Sequence, residues 1–193
     1  VSYVDIQTSE EFEQHIAIVH RLNPKSIAIG NGATLRDLSS LKPLTRLKSI
    51  MLFDCTRLTN VDGLKNLTAL QAVSLDGCTG LTNVDALKNL SALKWLELNG
   101  CTGLTNVDAL KNFSALKSLG LNGCTGLTNV DALKNLSALK SIMLFDCTRL
   151  TNVDALKNIS SLQMVDLTGC TGLTKESVAD LKAALPKAIV IAP

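Results

Sequence analysis

Six cysteines stand at 55, 78, 101, 124, 147 and 170, each 23 residues from the next. Thiols in series could bridge, hold a metal or act as nucleophiles. If each 23-residue block is one turn of a stack, bridging fails on geometry. Neighbouring parallel strands lie ~4.8 Å apart with side chains pointing the same way, whereas a disulfide needs Cβ atoms ~3.8 Å apart and facing. Zinc needs paired CxxC ligands or nearby histidine, and neither accompanies these cysteines. A nucleophile needs an adjacent base, and the recurring Cys-Thr-Gly carries none. The expectation is a ladder of buried thiols, each a weak donor to a turn carbonyl of its own or the next block.

A second column runs Asn60, Asn83, Asn106, Asn129 and Asn152, with Asp62, Asp85, Asp108, Asp131 and Asp154 two residues on. Stacked carboxylates are the chemistry of repeated calcium binding. Here Lys65, Lys88, Lys111, Lys134 and Lys157 follow three residues later, one for each Asp. That matching favours Asp as the cap of a short turn, neutralised by its Lys. The two histidines, His15 and His20, are five apart on a helical segment and so fall on different sides of it. Both are expected to be solvated. "GNGATL" has G-x-G but lacks the third glycine of a dinucleotide loop. No catalytic residue, metal ligand or cofactor site is therefore assigned.

The elements that would hold these columns follow from the period. Written from Leu93, one unit reads "LKWLELNGCTGLTNVDALKNFSA", with apolar residues at positions 1, 4, 6, 12, 15, 18 and 21 and Cys at 9. A period of 20–50 residues means a solenoid or array. The stretch "SIMLFDCTRLTNVD" occurs at 49–62 and again, unchanged, at 141–154, an offset of four periods. The frame survives where Cys is lost: Val4 and Ile6, then Ile27 and Ile29, fill positions 4 and 6. Alternation at these positions predicts a strand with 4 and 6 turned inward and 3, 5 and 7 outward. Ile189 and Ile191 are expected to restart that strand, facing inward, after one extra residue.

The pattern LxxLxLxxCxxL, as in Leu93, Leu96, Leu98, Cys101 and Leu104, resembles the leucine-rich repeat family. The resemblance implies an α/β solenoid with a parallel β-sheet on its concave face and binding through that face. The second half of each unit, spaced by threes, suits a short 3₁₀ or helical turn on the convex face rather than a long helix. A thin outer wall implies a shallow arc, as in bacterial short-repeat proteins. Helical caps are expected at both ends. Thr8 with Glu11 makes a capping-box signature ahead of Phe12, Ile16, Val19 and Leu22. Thr174 opens a second helix with Val178, Leu181 and Leu185 on one face, stopped by Pro186.

Residues 1–193 are thus expected to form one solenoid: a cap coil with its helix (1–23), six coils (24–161), then a last coil, cap helix and closing strand (162–193). Aromatics make up 3% of a chain that is 46% hydrophobic, so the core must be aliphatic. Net charge is +2, which gives no general pull towards nucleic acid or anionic lipid. No apolar run reaches the ~18 residues of a membrane span. The first residues carry neither a basic nor an apolar leader region. Because the chain starts without Met, an upstream piece is expected to have been lost, by signal cleavage or at a cloning boundary. Free thiols suit a reducing compartment, and burial would protect them outside one.

Positions 3, 5 and 7 vary most between coils. They carry Trp95, all three Met (Met51, Met143, Met164) and two of the four Phe (Phe53, Phe145). Large apolar residues favour strands in any case. On an outward face, however, they read as a partner surface. The expected contact residues are Met51, Phe53, Trp95, Glu97, Asn99, Met143, Phe145, Met164 and Asp166. The expected function is a non-enzymatic, monomeric module that binds a protein or peptide. Two alternatives stay open: a structural or engineered repeat scaffold without a ligand, and the recognition part of a larger bacterial effector. A basic border of position-2 lysines (Lys25, Lys48, Lys94, Lys117, Lys140, Lys187) faces acids on the same sheet, which opposes nucleic-acid binding.

Overall fold

The computed structural model describes residues 2–32 and 34–193. Its strands form one parallel sheet in chain order, β1 to β9. They are β1 (Tyr3–Ile6), β2 (Ser26–Ile29), β3 (Ser49–Leu52), β4 (Ala72–Ser74), β5 (Trp95–Glu97), β6 (Ser118–Gly120), β7 (Ser141–Met143), β8 (Met164–Asp166) and β9 (Ile189–Ile191). From β1 to β8 the register advances by one period per strand, so Ile50, Val73, Leu96, Leu119, Ile142 and Val165 stand side by side. The period in the sequence is the pairing register of the sheet.

Opposite the sheet the chain returns through 3₁₀ turns at Ser39–Leu41, Asp62–Leu64, Asp85–Asn89, Asp108–Asn112, Asp131–Asn135 and Asp154–Asn158. Three residues per turn suit leucines spaced by three, because residues i and i+3 eclipse on one side. Leu104, Val107, Leu110 and Phe113 accordingly point into the same column as Leu93, Leu96, Leu98 and Cys101, all buried. No coil could bury this set alone. Stacking makes it one continuous aliphatic column whose stability sums coil and interface terms.

Both ends are closed by helices. Helix α1 (Ser9–Leu22) is capped by the Thr8 hydroxyl, which accepts from Glu11 N at 3.1 Å. The Glu11 carboxylate reaches back to the N–H of Gln7, one residue beyond the cap residue. Phe12 and Val19 are buried, sealing the first coil. Helix α2 (Lys175–Ala184) is capped by Thr174, whose hydroxyl accepts from Ser177 N at 3.1 Å. Val178, Leu181 and Leu185 cover the last coil.

Four sequence expectations are corrected here. First, β9 is out of phase with the repeat. Val165 pairs with Val190, so two residues are added after coil eight rather than one. The extra residue is taken up in the turn after α2, where Ala188 N donates to Leu185 O. A one-residue change in register turns a strand over. Ala188, Val190 and Ala192 therefore pack on the core, while Ile189 and Ile191 face out. Second, the Asp column does not cap the 3₁₀ turns, because Asp is already the first residue of each. The Asn two residues earlier does this work: Asn83, Asn106 and Asn129 Oδ1 each accept from the following Asp N–H at 3.2 Å. Third, among the described residues only Lys157 pairs with its Asp, at 2.8 Å from Asp154, and it also reaches Asp180 at 3.3 Å. Fourth, His20 is half-buried, its Nε2 lying 2.6 Å from the Ser40 carbonyl.

Candidate functional site

All six thiols are free and buried. Cys101, Cys124, Cys147 and Cys170 donate to Leu75, Leu98, Leu121 and Leu144 carbonyls, each in the preceding coil, at 3.0–3.3 Å. The bond runs backwards along the stack rather than within the coil or forwards. Only Cys55 turns to its own coil, facing Phe53 O at 3.8 Å. A thiol there ties one strand end to the next turn. Burial pushes the Cys124 thiol up to about 12 and raises that of Cys101 as well. Among the described residues no cluster of three His, Cys, Asp or Glu side chains is placed to hold a metal ion.

The outward sheet face is built from three rows. Row one, at position 3, runs from Tyr3 through Ser26, Ser49, Ala72, Trp95, Ser118, Ser141 and Met164 to Ile189. Row two, at position 5, contains Met51, Ser74, Glu97, Gly120, Met143, Asp166 and Ile191. Row three, at position 7, follows the strands with Phe53, Asp76, Asn99, Asn122, Phe145 and Thr168. All nine residues expected to make contact lie in these rows. Trp95 is 47% exposed, Phe145 42% and Phe53 37%. The three Met and Glu97 are half-buried between their row neighbours.

Asn99 and Asp166 are already engaged with the chain. Row three carries a ladder in which Asp76, Asn99 and Asn122 each accept from the backbone of the next coil. Asp76 Oδ1 takes the N–H of Asn99 at 2.9 Å, Asn99 Oδ1 that of Asn122 at 3.0 Å, and Asn122 Oδ1 that of Phe145 at 2.9 Å. Phe145 has no acceptor to pass on. Thr168 N–H is satisfied instead by Asp166 of its own coil, at 2.9 Å. Buried or half-buried backbone donors need such partners, so these polar residues hold the sheet edge before they can hold a ligand.

The residues after row three turn the chain through the left-handed region: φ is +73° at Gly77, +69° at Gly100 and +67° at Gly123. In the two phenylalanine coils the same place is held by Asp54 and Asp146, at +55° and +57°. Asp tolerates this conformation better than most side-chain-bearing residues. Each lies over the glycine of the next coil, where a Cβ on Gly77 would come within 2.2 Å of the Asp54 carboxylate. An aspartate coil therefore has to be followed by a glycine coil. Gly120 is the other opening in the face. Glu97 leans across it, and a Cβ there would meet Glu97 Oε2 at 1.8 Å. Asn99 donates to that same Oε2 at 3.2 Å. Burial raises the Glu97 pKa and the nearby Asp76 charge adds to the rise, with the Asn99 bond opposing them.

Sequence reasoning missed three members of this surface. Tyr3, Ile189 and Ile191 are exposed and share its rows. Tyr3 was readable, since it holds position 3 of the first coil. Ile189 and Ile191 were hidden by the register change.

Residues 35–174 match a family model described as "BspA type Leucine rich repeat region", in six copies. No curated protein matches the sequence. Among solved structures, internalin C2 from Listeria monocytogenes superposes with a TM-score of 0.69 at 20% identity, over 98% of this chain and 77% of that one. The leucine-rich repeat domain of the type III effector XopL superposes with a TM-score of 0.74 at 24% identity, over 99% of this chain and 67% of that one. At these identities the likeness is one of fold.

Proposed function

The chain belongs to the BspA-type leucine-rich repeat family, and on that premise we propose that it is a non-enzymatic module binding a protein or extended peptide on its concave sheet face. Residues 1–193 act together as one solenoid, working as a monomer. One observation carries the reading: among the described residues, six of the seven large apolar side chains most exposed to water stand on this face, the sole Trp among them. Coils that repeat their core closely diverge in rows one to three, and bulky apolar groups held there in water gain by being covered. Contact centres on Met51, Phe53, Trp95, Glu97, Met143, Phe145 and Met164. Asn99 and Asp166 serve mainly the scaffold.

A photo-crosslinking amino acid at position 95 or 145, compared with one at Lys111 on the convex side, tests this in the milieu of the source organism. The expected result is one protein adduct shared by positions 95 and 145 and absent at 111. Equal adducts at all three positions, or an adduct confined to 111, would remove the assignment.

A further inference from the structure

The concave face is not uniform: its two outer subsites are the same and its centre is different. The duplicated stretch places Met51, Phe53 and Asp54 in one coil and Met143, Phe145 and Asp146 four coils later. Both phenylalanines are exposed and both aspartates adopt the same left-handed conformation. The subsites are related by translation along the stack, ~19 Å at ~4.8 Å per strand. Halfway between them stands Glu97, over the opening at Gly120, with Trp95 beside it on the same strand. The adjacent Ser74 hydroxyl is buried without a hydrogen-bond partner.

Within the three rows from β3 to β8 the charged residues are all acidic, Asp76, Glu97 and Asp166, with Asp54 and Asp146 beside row three. The lysines stand one residue before row one, along the opposite border of the sheet, with Lys94 bonded to Gln71. Among the described residues the ion pairs are those of Lys157, on the far side of the coil. A half-buried carboxylate beside an exposed indole is a setting for a cation, which gains from both charge and ring face.

Resting on the concave-face reading above, we propose that the occupant is a cationic peptide segment in the polyproline II conformation with the pattern apolar–x–x–basic–x–x–apolar. Its two apolar side chains sit on Met51–Phe53 and Met143–Phe145, and its Lys or Arg sits over Glu97 against Trp95. Spacing selects the conformation. Two coils are ~9.6 Å, and three polyproline II residues rise ~9.3 Å and complete one turn, returning the side chain to the same face. In a β-extended segment the third residue points the opposite way. An α-helix returns to the same face after seven residues, ~10.5 Å, and overshoots both subsites.

Fluorescence anisotropy with labelled synthetic peptides on the full chain tests this. One peptide has two Leu and a central Arg at the stated spacing in a proline background. A second replaces Arg by Glu, a third adds one Pro after Arg, and a fourth is a helix with the same groups at seven-residue spacing. The first is expected to bind at least tenfold more tightly than the other three. E97Q should weaken it about fivefold, and E97K should reverse the preference between Arg and Glu peptides, with circular dichroism of each variant unchanged. Equal binding of the Glu, shifted or helical peptide, lost in F53A/F145A, would overturn the segment and leave the concave reading standing. So would no peptide binding at all while position 145 still crosslinks a protein. Binding of the first peptide undiminished in F53A/F145A would overturn both.

Discussion

Phe113 and Phe145 carry the same ring on opposite sides of the coil wall, so truncating each to Ala separates core from surface. Phe113 is fully buried, at the position where neighbouring coils carry Leu90 and Leu136. Removing its ring loses transfer free energy and leaves a cavity that the coils above and below cannot close. Such changes cost about 3–5 kcal/mol. Phe145 keeps 42% of its surface in water, and its removal opens no cavity. The loss is about 1 kcal/mol at most, part of it strand preference. For a chain of this size about 2–4 °C accompany each kcal/mol. F113A should therefore melt roughly 6–20 °C below the parent and F145A within about 4 °C. The assay is thermal and guanidinium unfolding followed by circular dichroism, with both variants at equal concentration. A loss in F145A matching that in F113A would mean that the Phe145 ring belongs to the aliphatic column, and the outward face would have to be redrawn.

Three further outcomes follow from the same geometry. With the Cys124 thiol pushed up to about 12, its thiolate fraction at pH 8 is on the order of a thousandfold below that of a free cysteine. Because all six thiols are buried, Ellman's reagent should find almost no reactive thiol in the native chain and six in guanidinium, and a fast native phase would contradict the buried ladder. Because the Glu97 pKa is raised in the folded state, its ionised form weighs against folding at neutral pH. E97Q should thus raise the melting temperature at pH 7, and the gain should fade as pH falls through the raised value towards the ordinary carboxylate range. A gain that grows on acidification would reverse that sign. Asn122→Ala should cost about 0.5–1.5 kcal/mol by removing the acceptor of the Phe145 N–H, whereas Asn122→Asp, which keeps the oxygen, should cost less. Equal guanidinium midpoints for Ala and Asp would dismiss the ladder.

The fold was legible because one period writes both the core and the pairing register. Leu96, Leu119 and Ile142 lie 23 residues apart in the chain and side by side in the sheet. The 3₁₀ turns were legible from leucines spaced by three, and the caps from Thr8 and Thr174. Legibility stopped where the period did. Ile189 was read as a core residue on the expectation of one added residue, yet it is 61% exposed, because the chain adds two residues to the period and so keeps the alternation that turns Ala188 and Val190 inward. Side-chain bonds to the backbone were hidden for a different reason. A column of identical residues shows that something recurs, not which neighbour it touches. Asp108 and Asn106 recur together, and only the backbone geometry shows that Asn caps the turn. Asn99 and Asp166 looked like ligand contacts because they point outward. The Asn99 bond to Asn122 N–H becomes visible only once adjacent coils are stacked, and the Asp166 bond to Thr168 N–H only once the turn of its own coil is built.

Trp95, the sole tryptophan, stands at the middle of the proposed contact surface and reports on it without labelling. The decisive measurement is its emission and acrylamide quenching as the partner captured at position 145 is titrated in. A blue shift with a several-fold drop in quenching, saturating with binding, is the outcome expected of a covered concave face. Saturable binding that leaves Trp95 as open to acrylamide as in the free chain would place the partner elsewhere and end the account.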